Sequence, residues 1–285
     1  MKKGINAWAF PGSVRACEAM RYAKNAGYEA IELNLADQGE IGLDTPATSL
    51  KKLAAAARRI GVEISSVSTG LYWAFNLASD DAAERAKAGE VLSKQLDTAK
   101  ALGCDAILVI PGSVMVAFDL SKPKVDPDAA WDRALAGIKA AVPKAEDLGV
   151  TICIENVWNT FLLSATEMRD FVDACGSPRV AAYYDPANIV KYGLPDQWAR
   201  ALGNRIQRVH FKDFRRNVAN LDGFVHLLDG DVNYPTLMQA FKAVGYDGYV
   251  TAEIFPPAHG LWESQIWTTS KAMDFILGRV KPARL

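Results

Sequence analysis

Short runs of β-branched and apolar residues alternate along the chain with longer amphipathic runs rich in Ala, Leu, Lys and Arg. Eight of the short runs read as strands: Gly4–Trp8, Ala30–Asn34, Glu63–Ser68, Ala106–Ile110, Thr151–Glu155, Val180–Asp185, Ile206–Lys212 and Gly248–Glu253. Helical periodicity covers Arg15–Ala26, Ser49–Ile60, Asp80–Leu102, Asp128–Leu148, Met168–Cys175 and Tyr234–Val244. A glycine follows each of these helical runs, as expected where the residue past the last turn takes a left-handed conformation. Strand cores such as Ile107-Leu108-Val109-Ile110 are apolar throughout, the mark of parallel strands covered on both faces.

Eight β-then-α units in 285 residues are roughly 36 residues each, and a (β/α)8 barrel typically takes about 250 residues. A doubly wound sheet also alternates. Its glycine-rich phosphate turn is missing after the first strand, where the sequence is Ile5-Asn6-Ala7-Trp8-Ala9-Phe10. The expected fold is therefore an α/β protein built as one (β/α)8 barrel over residues 1–285. Two insertions stand out. Pro111–Asp128 follows the fourth strand and is a candidate active-site loop or lid, and Phe214–Asn233 follows the seventh.

Composition narrows the function. With 32 Lys+Arg against 33 Asp+Glu the formal net charge is −1, so no basic excess exists to bind a nucleic-acid backbone. No apolar run approaches the roughly 18–20 residues of a membrane span, and the N-terminal apolar stretch is too short for a secretory signal. The four cysteines (Cys17, Cys104, Cys153, Cys175) are scattered without a CxxC pair. They read as reduced thiols in a cytoplasmic protein.

In a barrel, catalytic groups sit at the C-terminal strand ends and in the loops beyond. Glu155, Asp185 and Glu253 each close an apolar strand in the second half of the chain, and His210 lies near the end of another, at separations of 30, 25 and 43 residues. Any one of them alone reads as a helix cap, a salt-bridge partner or a packed core residue. Four on four consecutive strands converge on one point at the barrel mouth, where unpaired charge is costly. Three carboxylates and one imidazole suit a divalent ion, Mn²⁺ best, with Mg²⁺, Co²⁺ or Zn²⁺ possible. Aromatic residues that follow strands, Trp8 among them, can stack on sugar faces or simply pack. His226 and His259 read as surface or pocket-rim groups.

The set Glu155-Asn156, Asp185-Pro186-Ala187-Asn188, His210-Phe211-Lys212-Asp213 and Glu253 resembles the xylose-isomerase-like TIM-barrel superfamily of sugar and sugar-phosphate isomerases and epimerases. Ketose 3-epimerases and L-xylulose-5-phosphate 3-epimerase-like proteins look closest. The resemblance implies a metal-dependent isomerase in which Glu155, Asp185, His210 and Glu253 hold the ion. It further implies that Glu155 and Glu253 form an acid/base pair on opposite faces of C3, acting through a metal-stabilised cis-enediolate. It assigns substrate contacts to Asn188, Lys212 and Arg216, a sugar or sugar phosphate as the partner, and a homodimer or homotetramer. Phe161 stands where free-ketose 3-epimerases carry a glutamate.

Three other readings compete. The same enolate chemistry serves a dehydratase or keto-glycoside lyase. A DNA-repair endonuclease on this barrel holds three zinc ions with many histidines, and only three histidines occur here. A non-catalytic sugar-binding subunit would have no use for the quartet.

Overall fold

The computed structural model describes residues 1–218, 220–256 and 261–280. Eight parallel strands close into a barrel: β1 (Lys2–Asn6), β2 (Ala30–Leu35), β3 (Glu63–Thr69), β4 (Ala106–Val109), β5 (Thr151–Glu155), β6 (Val180–Tyr184), β7 (Ile206–Phe211) and β10 (Tyr249–Ala252). Each pairs with its neighbours in chain order, and β10 pairs with β1 to seal the ring. The remaining two strands, β8 (Asp213–Phe214) and β9 (Phe224–Val225), form a short antiparallel hairpin in the insertion after β7. The expected (β/α)8 barrel is thus the observed fold.

Helices α1 (Ala16–Asn25), α2 (Ala47–Ile60), α3 (Ala82–Leu102), α4 (Pro127–Leu148), α5 (Ala165–Ala174), α6 (Pro195–Leu202), α7 (Tyr234–Ala243) and α8 (Trp262–Ile276) ring the sheet. The glycines expected to end helices all have positive φ, and Gly61, Gly103 and Gly149 are themselves the C-caps of α2, α3 and α4. Among the described residues no helix is long and apolar enough to cross a membrane.

Boundaries differ from the sequence reading where side chains cap the backbone. The first strand stops at Asn6 because its side chain accepts from Trp8 N at 2.7 Å, turning Ala7–Ala9 into a 3₁₀ turn. Helix α5 starts three residues early. Ser164 Oγ accepts from Glu167 N at 3.1 Å and Glu167 Oε2 accepts from Leu163 N at 2.8 Å, a reciprocal cap. Two helices, α6 and α8, had no counterpart among the helical runs. Helix α6 is only eight residues long and opens on Pro195. Helix α8 has aromatic and β-branched residues within its span, which weaken local helix propensity.

The insertion after β7 is fixed by one carboxylate. Asp213 is fully buried and accepts from Phe214 N, Leu228 N and Val232 N at 2.9, 2.9 and 3.1 Å. Three loop amides that would otherwise be orphaned are thereby satisfied, each worth roughly 1–3 kcal/mol if left unpaired. A Cβ on Gly230 would run into that carboxylate and come within 2.6 Å of Phe214 N. Gly230→Ala is expected to cost about 1–3 kcal/mol. Thermal unfolding measures this, and an unchanged midpoint would show that the loop is not held this way.

Candidate active site

The quartet meets at the C-terminal end of the barrel. Glu155 is the last residue of β5, Asp185 directly follows β6, His210 lies on β7 and Glu253 directly follows β10. One ligand atom from each lies within 4.8 Å of those of the others, and all four side chains are buried. His210 Nδ1 is 3.5 Å from Glu155 Oε1 and 3.2 Å from Glu253 Oε2. Asp185 Oδ2, His210 Nδ1 and Glu253 Oε2 make no hydrogen bond although they are buried. Buried polar atoms are normally satisfied, so these three point to a missing partner between them. Three carboxylates and an imidazole, all facing one centre, are a donor set that can bind a divalent metal.

Lys212 supplies positive charge beside that centre. Its Nζ forms ion pairs with Glu253 Oε2 at 2.6 Å and Asp185 Oδ2 at 3.3 Å. The two glutamates titrate in opposite directions. Burial pushes the Glu155 carboxyl up to about 7, reinforced by the charge of Glu253. Burial acts the same way on Glu253, but Lys212 and His210 outweigh it and hold that group below its ordinary value. Burial also raises Asp185, against the pull of Lys212. The surroundings alone thus give the two glutamates opposed acidities.

A fourth carboxylate, absent from the sequence reading, completes the centre. Glu32, fully buried on β2, lies 2.8 Å from His210 Nε2 and accepts from Ser66 Oγ at 2.5 Å; Asn6 Nδ2 and the Tyr183 hydroxyl bond it as well. Burial alone would raise its pKa, but the His210 charge and these donors hold it below the usual range. An anion at Nε2 keeps a proton there and turns the other ring nitrogen, Nδ1, toward the quartet. Burial disfavours the imidazolium, yet Glu32 and Glu253 raise His210 well above its ordinary value. The signal for Glu32 was a glutamate in mid-strand, two residues before Asn34 and paired across β3 with Ser66.

The other candidates scatter. Trp8, Asn188 and Lys212 line a 430 Å³ cavity above the quartet, together with Glu155 and Glu253. Asn188 is partly committed, with Nδ2 donating to Asn156 O at 3.0 Å. Arg216 lines neither this cavity nor the adjoining one, and its Nε donates to Val190 O at 2.8 Å. Phe161 packs against Trp131 and Phe171 beneath the loop and is buried. His226 lines the adjoining cavity, and His259 lies outside the described residues. The insertion after β4 reaches the site through Phe118. Cys153 is buried two residues before Glu155 and packs in the barrel core.

Glu32→Gln removes the charge that stabilises the imidazolium, so the His210 pKa is expected to fall. NMR titration of the His210 ring in metal-free protein measures it, and an unshifted ring would remove Glu32 from this role.

A family model described as xylose isomerase-like TIM barrel matches residues 20–271. L-ribulose-5-phosphate 3-epimerase UlaE from Salmonella paratyphi B is 24% identical over 285 residues, covering 99% of this chain and 96% of the relative. Among solved structures, a D-psicose 3-epimerase superposes with a TM-score of 0.78 at 21% identity, covering 98% of each chain. The 3-keto-D-glucoside 4-epimerase YcjR from E. coli gives 0.76 at 15% identity, covering 98% of this chain and 99% of that one. These relatives are epimerases by name, and the names carry a sugar phosphate, a free ketose and a keto-glucoside. With its sealed eight-stranded barrel and the match over most of its length, the chain belongs to the xylose isomerase-like TIM barrel family.

Proposed function

We propose that the protein is a divalent-metal-dependent sugar 3-epimerase, acting on a keto sugar by proton exchange at the carbon beside the carbonyl. The observation that carries this reading is the buried quartet with two glutamates of opposed acidity. Glu155, Asp185, His210 and Glu253 would hold the ion, with Mn²⁺ the best match to three carboxylates and an imidazole. When bound, the ion polarises the sugar carbonyl and stabilises negative charge that develops on it.

The chain's own groups do the rest. Strands β5 and β10 stand three places apart in the barrel order, so Glu155 and Glu253 approach the centre from different sides. One carboxylate removes the proton from C3, and the other returns a proton to the opposite face. Inversion at that carbon follows from the two-sided arrangement, and a single base would return the original sugar. Each positioned carboxylate contributes about 10²–10⁴-fold. Lys212, which lines both cavities, is placed to donate a hydrogen bond to a substrate oxygen while balancing Glu253.

Wild-type protein with Mn²⁺ in D₂O is expected to place deuterium at C3 of its keto sugar as the epimer accumulates. Glu253→Gln is expected to lower that exchange at least about 10²-fold; exchange that survives unchanged sinks the assignment. Loss of a substituent in place of epimer formation would move the chemistry to elimination at the same carbon.

Ion binding must displace protons. His210 carries one, and below pH 7 Glu155 carries another, because its carboxyl titrates at about 7. Mn²⁺ affinity is therefore expected to rise with pH, with the Glu155 contribution about tenfold per unit below pH 7 and levelling off above it. Calorimetry in buffers of different ionisation enthalpy counts the protons released, and affinity flat between pH 5.5 and 7 would remove Glu155 from the ligand set.

A further inference from the structure

We infer that the substrate is a neutral keto sugar carrying a second ring, with that ring seated between aromatic walls above the quartet; this rests on the epimerase reading above. The 430 Å³ cavity has Glu155, Glu253 and Lys212 at its floor. Its walls come from six separate loops: Trp8 after β1, Trp73 after β3, Phe118 after β4, Trp158 after β5, Phe224 on β9 and Phe255 after β10. Six unconnected segments each deliver an aromatic ring to one space. Phe118, Leu221 and Phe255 are 45%, 47% and 58% exposed, so the apolar lining continues from the quartet out to the protein surface, and 430 Å³ leaves room beyond one sugar unit.

The walls offer ring faces and few hydrogen-bonding groups. Trp158 Nε1 already donates to Asn188 O at 2.9 Å, and Thr69 Oγ1 to Leu35 O at 2.8 Å. An open sugar chain turns hydroxyls to every side and would leave them unpaired against such walls. A closed sugar ring has a C–H face that stacks on an aromatic ring while its hydroxyl edge points to water.

The same space is poorly made for a phosphate. Among the described residues the cations lining this cavity and the adjoining 370 Å³ one are Lys212 and Arg215, and Lys191 Nζ lies 5.2 Å from the ring centre of Trp158. The Lys212 ammonium is held by Glu253 and Asp185. Arg215 Nε donates to Asp229 O at 3.0 Å, and Asp229 lines the same cavity. A dianion placed there would meet Glu253 and Asp229 along with the one guanidinium. Recognition of a phosphate group normally uses convergent Arg donors or a helix N-terminus, and no such cradle is found among the described residues.

The test is calorimetry on the Mn²⁺-loaded protein with fructose, L-ribulose 5-phosphate and three neutral ketoses that bear a glucosyl ring at C4, C5 or C6 (maltulose, leucrose, isomaltulose). At least one two-ring ketose is expected to bind about tenfold or more tighter than both fructose and the phosphate. Phe118→Ala combined with Phe255→Ala, both at exposed positions, is expected to remove most of that advantage. The inference is overturned if the phosphate binds tighter than every two-ring ketose, if none of the three exceeds fructose, or if the double variant keeps the full advantage. Deuterium exchange followed on the same ligands separates the two proposals. Exchange on the phosphate without a two-ring preference leaves the epimerase standing and removes this inference. A two-ring preference without exchange on any ligand keeps the ligand class and removes the epimerase.

Discussion

Four carboxyl groups buried at one end of a closed barrel are the constraint on which the rest depends. Glu32, Glu155, Asp185 and Glu253 come from four different strands or strand ends and face one imidazole and one ammonium. Left without cations, such a group would either neutralise or open the barrel to water. His210 answers on one side by bridging Glu32 and the centre, and Lys212 answers on the other by bridging Asp185 and Glu253. What remains between them is a concave set of oxygen and nitrogen atoms suited to a small divalent cation. Fold and chemistry are tied here, because the C-terminal ends of the parallel strands bring groups far apart in the chain to one face of the barrel.

The barrel and the quartet were legible in the sequence because both rest on strong local signals. Apolar runs such as Thr151–Glu155 end on a charge, and a charge after a buried strand has few places to go. Glu32 was not legible by the same rule, since it sits inside β2 and closes nothing. Its meaning comes from the pairing of β2 with β3, which sets it beside Ser66, and from closure, which brings it to His210 across the barrel. The cap at Asn6 and the reciprocal cap at Ser164 shifted element ends by a few residues for equally local reasons. Arg216 illustrates the opposite limit: the resemblance assigned it a substrate contact, whereas in the fold it lines neither cavity and its Nε donates to Val190 O.

The loops that carry the walls of the cavity are held by buried polar anchors. Asp213 gathers the insertion after β7 and sets Phe224 over the site. Asn159 ties the insertion after β4 to the β5 loop, accepting from Val114 N through its carbonyl and donating to Gly112 O through its side chain. Such anchoring makes the rim of the cleft part of the same cooperative structure as the barrel, so the aromatic groups are held in position before a ligand arrives.

The seal between β1 and β10 has a consequence for how the centre comes into being. Strands β5, β6, β7 and β10 are adjacent, so Glu155, Asp185, His210 and Glu253 stand side by side in one half of the sheet. Pairing of β10 with β1, the most distant in the chain, closes that half onto the other, which carries Glu32 on β2. The quartet therefore belongs to one half of the barrel, and closure adds the carboxylate that holds His210 from the far side. A cation held by the quartet would clasp the four strands of that half together and add its binding free energy to the stability of the folded barrel.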